Sequence, residues 1–172
     1  MAIFRKIGDG ITYFNKLVFQ GAAWLIYPLI TVIIYEVIMR YFFVRPTNFS
    51  FDLSWMIFGA MGFLAGGYVL HLDGHVKADV LTNMLPKKVR AIVTCVCYCV
   101  FFFPLMISIV RSSNTYFLNS YRILEKSPLT SWEPLMWPSK LILFISFVLL
   151  LAQGVVKFCE TAQTIFEKGE VK

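Results

Sequence analysis

The chain has 172 residues, of which 58% are hydrophobic and 15% charged, with a mean hydropathy of +0.70. Soluble chains average about 45–50% apolar and about 25% charged, so a soluble domain is excluded and an integral membrane protein is indicated. The formal net charge of +6 does not point to nucleic acid, because the lysines and arginines sit in short segments beside apolar runs, where they act as topology signals.

In residues 1–16, Ile3, Phe4, Ile7, Ile11 and Phe14 recur at helical spacing, with Arg5, Lys6, Asp9 and Lys16 between them. That pattern predicts an amphipathic helix in the headgroup plane, weakened by Gly8 and Gly10. The first span is expected at 17–39. Its apolar run is longer than a signal-peptide core, and Tyr27 and Pro28 stand where a cleavage site needs small residues. Pro28 is expected to kink the span. Glu36 and Arg40 close it four residues apart, on one helix face and in the better order for an ion pair.

A turn at Arg45-Pro46-Thr47-Asn48 leads to a second span, 52–71, that begins at Asp52. Gly59, Gly62 and Gly66 give it a small-residue face against which another helix can approach closely. A polar loop follows, with His71, His75, Lys77 and Asp79. The third span is expected at 91–110, then a long connection, 111–138, part of it a short surface helix. The fourth span is expected at 139–158 and a polar tail at 159–172.

Arg5, Lys6, Lys16, Lys77, Lys87, Lys88, Arg90, Lys157, Lys168 and Lys172 fall on one side of these spans. Fewer basic residues, Arg40, Arg45, Arg111, Arg122, Lys126 and Lys140, fall on the other. The positive-inside rule then puts both termini in the cytoplasm. Trp55, Trp132 and Trp137, with Lys140, become anchors at the outer interface. The fold class is all-α, with four transmembrane helices. No internal repeat marks a self-contained transporter.

Two constellations invite chemistry. His71 and His75 lie four apart and could present imidazoles to a metal or haem. Both sit at one span's end, whereas a haem between helices usually needs histidines from different spans, so a polar loop end is favoured. Glu36, Arg40 and Asp52 form the second. An intramembrane carboxylate can carry protons or sodium. A neighbouring arginine favours the charged acid, so a structural ion-pair cluster is the preferred reading. Cys95, Cys97, Cys99 and Cys159 form no C-x-x-C pair and read as small apolar-like residues. No nucleophile motif, phosphate loop or metal-ligand set is present, which argues against an enzyme.

The string Glu36-Val37-Ile38-Met39-Arg40-Tyr41-Phe42-Phe43 resembles the E-x-x-x-R-Y-x-F signature of the small, DctQ-like membrane subunits of tripartite ATP-independent periplasmic (TRAP) transporters. Arg45-Pro46-Thr47 is similar to that family's N-x-P-T turn. Asp52-Leu53 stands at its Glu-Leu pair. Gly74-His75-Val76-Lys77-Ala78-Asp79 is similar to its G-G-H-V-x-V-D loop, with Asp73 in place of the first glycine. Phe102-Phe103-Pro104 fits its third helix. The run from Trp132 to Lys140 is similar to its W-x-P-P-L-W-P-x-K lead-in to the fourth helix.

The resemblance implies a scaffold subunit in the bacterial inner membrane. Its partners would be a large DctM-like subunit, a periplasmic DctP-like binding protein and membrane lipids. The assembly would import an organic acid on an ion gradient, commonly sodium, and the ion would bind the large subunit. No cofactor is expected in this chain. Arg45, Arg122 and Lys126 are expected to face the periplasm and steer an acidic partner. Two other functions compete: a small homodimeric transporter joined by the glycine face, and a haem- or quinone-linked electron carrier.

Overall fold

The computed structural model describes residues 2–72 and 87–166. Among the described residues the regular elements are helices: α1 (Ala2–Trp24), α2 (Ile26–Tyr41), α3 (Ser50–His71), α4 (Lys87–Cys97), a π-helical turn (Tyr98–Phe102), α5 (Phe103–Arg122) and α6 (Trp137–Phe166). Among the described residues, four stretches are long and apolar enough to cross a bilayer: Lys6–Tyr41, Ser50–His71, Val89–Arg122 and Trp137–Gln163.

The expected arm at 1–16 and the start of the first span belong to one helix, α1. The break comes instead at Leu25, between α1 and α2. Pro28 explains its position. It has no N–H for the Trp24 carbonyl, and its ring crowds that carbonyl. Leu25 turns back to bond Ala22, and Leu29 N–H bonds the Leu25 carbonyl, 3.1 Å in each case.

Pro104 produces the second irregularity. Its missing donor and ring fall on the turn that begins at Val100, and the chain absorbs the fault as the five-residue π-helical turn. The helix then runs past the expected end at 110, because neither glycine nor proline interrupts it before Arg122. The expected long connection shrinks to residues 123–136. The fourth helix starts at Trp137, with Pro138 in its first turn, where a missing N–H costs nothing.

Helices α3 and α6 pack most extensively against each other, α5 and α4 flank α6, and α1 and α2 flank α3. Two glycines make the closest approaches. A Cβ on Gly67 of α3 would collide with the side chain of Asn15, and one on Gly154 of α6 would collide with the Phe102 ring. Aromatic rings fill other contacts, Phe19 on Tyr68 at 5.1 Å and Phe63 on Phe147 at 5.8 Å. Toward the other end of the bundle, Asn15 Nδ2 donates to Gln153 Oε1 at 3.0 Å, and Gln153 Nε2 donates to Thr12 Oγ1 at 3.1 Å. Such bonds tie membrane helices together where apolar contacts do not distinguish a neighbour from lipid.

Helix α5 ends in a Schellman turn. Glu125 N–H bonds the Ser120 carbonyl at 3.0 Å, and Leu124 N–H bonds that of Tyr121 at 3.4 Å. The turn places Leu124 at φ 48°, a left-handed position that costs an L-residue roughly 1–2 kcal/mol. Leu124 is exposed and its side chain offsets little of this. Leu124→Gly is expected to stabilise the chain by up to about 1 kcal/mol, net of glycine's greater unfolded freedom. Thermal melting in detergent checks this, and a lower melting point would show that the leucine makes contacts of its own.

Candidate functional site

The helix ends at Tyr41, Ser50, Arg122 and Trp137 meet at one end of the bundle, with residues 42–49 and 123–136 looped over them. Two carboxylates organise this end.

Glu36 is the first. Its Oε1 accepts from Arg40 Nη2 at 2.6 Å and Nε at 3.1 Å, so α2's last turns carry the expected pair. Its Oε2 accepts from the Thr47 backbone N–H at 3.0 Å and from the Thr47 hydroxyl, which also meets the buried Ser50 hydroxyl. Glu36 thus holds the turn that reverses the chain into α3. The backbone is forced there: Val44 sits at φ 53°, rare for a β-branched residue. Arg40 is the outer, exposed partner. Arg40→Ala is therefore expected to destabilise the chain less than Glu36→Ala, which also releases the Thr47 amide and hydroxyl. Chemical or thermal unfolding of the two variants gives the ranking, and the reverse order would place the clasp's weight on the arginine.

Asp52 is the second carboxylate, and it does not join Glu36 and Arg40. The expected three-residue cluster is corrected here. Asp52 lies on the opposite side of α3's first turn and is fully buried. Ser127 Oγ donates to its Oδ1 at 2.8 Å, and the Thr130 hydroxyl donates to Oδ2. Ser127 Oγ also accepts from Leu129 N–H at 3.3 Å. The loop closes on itself through Ser127 N–H to the Pro134 carbonyl, 2.9 Å, and Met136 N–H to the Glu125 carbonyl, 2.8 Å. Asp52 therefore pins the 123–136 loop to α3, seventy-five or more positions away in the chain.

Lys140 is corrected as well. Expected as an interface anchor, it is buried, 4% exposed, and paired with Glu125. Its ammonium lies 3.6 Å from the centroid of the Tyr116 ring. The Lys140 bond holds the Glu125 carboxyl below the usual carboxylate range. A depressed folded-state pKa gives stability that is present above the ordinary value and lost as pH falls through the lowered one. The Glu125–Lys140 link is thus expected to stay closed through mild acid, and the loop's amide exchange pattern should match at pH 7 and pH 5.

Trp55, Trp132 and Trp137 share this end of the bundle. Trp55 and Trp132 are about half exposed, and Trp137 meets Tyr121 edge-on at 5.7 Å. Trp132 also meets Phe49 at 6.2 Å, and Phe49 stacks on Tyr35 at 6.1 Å, an aromatic bridge between the two carboxylate clusters. Arg45 and Arg122 are exposed. Lys126 is exposed but pairs with Glu133 at 3.0 Å, which reduces its use as a steering charge.

The glycine face is open. A Cβ on Gly59, Gly62 or Gly66 would meet nothing within 4 Å, so close packing within the chain falls to Gly67 and Gly154 instead. Gly59 borders a cavity of about 240 Å³ with Trp55, Phe63, Tyr116 and Lys140. His71 stacks on Tyr68 at 5.9 Å, and among the described residues no three His, Cys, Asp or Glu side chains converge to hold a metal. The expected sites at His75, Lys77 and Asp79 lie outside the described residues.

Chemically, Glu36 and Asp52 are acceptors already supplied with donors from this chain. They hold turns and loops; neither is left poised toward an open path. The family of tripartite ATP-independent periplasmic transporters, DctQ component, matches residues 29–164. The chain belongs to the DctQ family. A search of curated proteins finds no match. Membership makes the chain the small membrane component of a TRAP transporter, an inner-membrane protein whose family is a transport component rather than an enzyme. The matched region contains both carboxylate clusters and begins just after the break at Leu25.

Proposed function

We propose that this DctQ chain is the scaffold subunit of an importer that moves an organic acid inward on a sodium gradient. It supports a large DctM-like subunit, where sodium and substrate bind, and helps seat a periplasmic DctP-like binding protein. The carrying observation is the family match across residues 29–164. The outer-end geometry supports the reading, because the carboxylates there are spent on holding turns and loops. Both termini lie in the cytoplasm in this reading, so the Glu36 and Asp52 end faces the periplasm. Arg45 and Arg122 then offer positive charge to the binding protein.

The test is uptake by the three components in proteoliposomes. Inward sodium should drive accumulation of a carboxylate, and replacing sodium by choline should abolish it. Accumulation that ignores sodium would contradict the coupling proposed, and reversal of Arg45 and Arg122 to Glu without effect on binding-protein affinity would contradict the docking role.

A further inference from the structure

The described exposed positions midway along three spans are mostly apolar: Ile30, Ile33 and Ile34 on α2, Phe58 and Phe63 on α3, Ile145 and Val148 on α6, while the exposed Thr31 hydroxyl of α2 bonds the Tyr27 carbonyl of its own helix at 2.9 Å. Helix α5 differs. Ser108, Arg111, Ser112, Thr115 and Asn119 are all exposed, and they recur at steps of three and four residues. They form one polar stripe about 16 Å long at 1.5 Å per residue. The buried residues Met106, Ser113 and Ser120 recur at seven-residue steps on the opposite side, against α6.

The stripe reaches below the helix end. Ser108 and Ser112 line one groove with Leu143 and Phe147, which lie two to three turns inward of Trp137 at the mouth of α6. Arg111 lies between them in the chain, inside the candidate span Val89–Arg122. An arginine at such depth is costly against lipid and by default faces protein or water. This chain supplies no acid for it among the described residues. Glu36 is held by Arg40, Glu125 by Lys140, Glu133 by Lys126, and Asp52 by two hydroxyls, while Asp9 of α1 and Glu160 of α6 lie at the opposite end of the bundle.

We propose that the Ser108–Arg111–Ser112–Thr115–Asn119 face of α5 is the seam along which the large membrane subunit docks, through a transmembrane helix that sets a carboxylate opposite Arg111. The proposal rests on the reading of this chain as the scaffold subunit, and it assigns the face used. Charge complementarity chooses the occupant. A lipid tail offers nothing to the hydroxyls or the guanidinium. A second copy would bring another Arg111 and, among the described residues, no unheld acid at that depth of the bundle.

The test places a photo-crosslinking residue at Ser108, Ser112 or Thr115, and at Ile33 and Phe58 as controls, in the full chain co-expressed with its large subunit. The stripe positions should give an adduct of the two chains, and the controls about tenfold less. Adducts from the controls alone, or a stripe that captures only lipid or a second copy, would overturn the seam while leaving subunit assembly intact. Failure of the unmodified chain to co-purify with the large subunit would sink the scaffold reading itself.

Arg111→Leu, a substitution compatible with lipid, supplies the second readout. It should lower co-purified large subunit about tenfold without lowering the chain's own melting point, and Arg111→Lys should keep most of it. Equal recovery with Arg111→Leu would refute the charge pairing.

Discussion

Asp52→Ala is expected to free the 123–136 loop from the bundle and to destabilise the chain by about 3 kcal/mol. The carboxylate is fully buried and accepts from Ser127 and Thr130. Each hydrogen bond to a charged group contributes roughly 1.5–3 kcal/mol, and removing the acceptor leaves buried hydroxyls unsatisfied. The loss should be local first. Amides whose bonds close the loop, Ser127 and Met136, should exchange faster while those of α3 and α6 hold. Asp52→Asn should fall between wild type and alanine, because its amide keeps one acceptor oxygen. Exchange of the loop amides that did not change in Asp52→Ala would show that the loop holds itself closed.

Gly67→Ala should have the second large effect. A Cβ there collides with the Asn15 side chain, and Asn15 is itself buried and bonded to Gln153. Overpacking of this kind costs about 1–3 kcal/mol. The cost should fall on the α1–α3 contact, so α1 loosens around Asn15. Asn15→Ala in the same chain should recover part of the loss by clearing the space, and the two changes should then be non-additive. Melting curves of the single and double variants give the coupling. Strict additivity would mean that the two side chains do not share this contact.

The division of labour at the Glu36 and Asp52 end was only partly written in the chain. Glu36 and Arg40 are four apart on one helix, so their pairing needs no tertiary information. Asp52 looked like their neighbour because it follows them across a short turn. Its side chain leaves α3's first turn in another direction, toward Ser127 and Thr130, and no local rule links position 52 to a loop so far along the chain. Lys140 misled for a related reason. A lysine at a span's edge usually snorkels to the interface, but Glu125 and the face of Tyr116 give this one a buried partner on each side.

The glycines carry a similar lesson. Gly59, Gly62 and Gly66 stand out by spacing, while Gly67 and Gly154 do not, yet the latter two make the close approaches. Spacing shows where a helix is narrow; only the fold shows what lies beside it. The four spans were legible from hydropathy, but their ends were not. The third was expected to end at 110, because polarity rises after that point. The structure runs α5 on to Arg122 and turns that polarity outward as a stripe. Gln153, a lone amide in an apolar run, was the visible sign of a polar lock between α1 and α6, although nothing local pointed to Thr12 and Asn15.

In the proposed role, this chain supports transport without conducting it. Reconstitution of the purified chain alone, and of the chain with its large subunit and binding protein, in liposomes with an inward sodium gradient tests that directly. Labelled substrate should accumulate only with all three components, and not above empty liposomes for this chain by itself. Gradient-driven accumulation by the chain alone would contradict it.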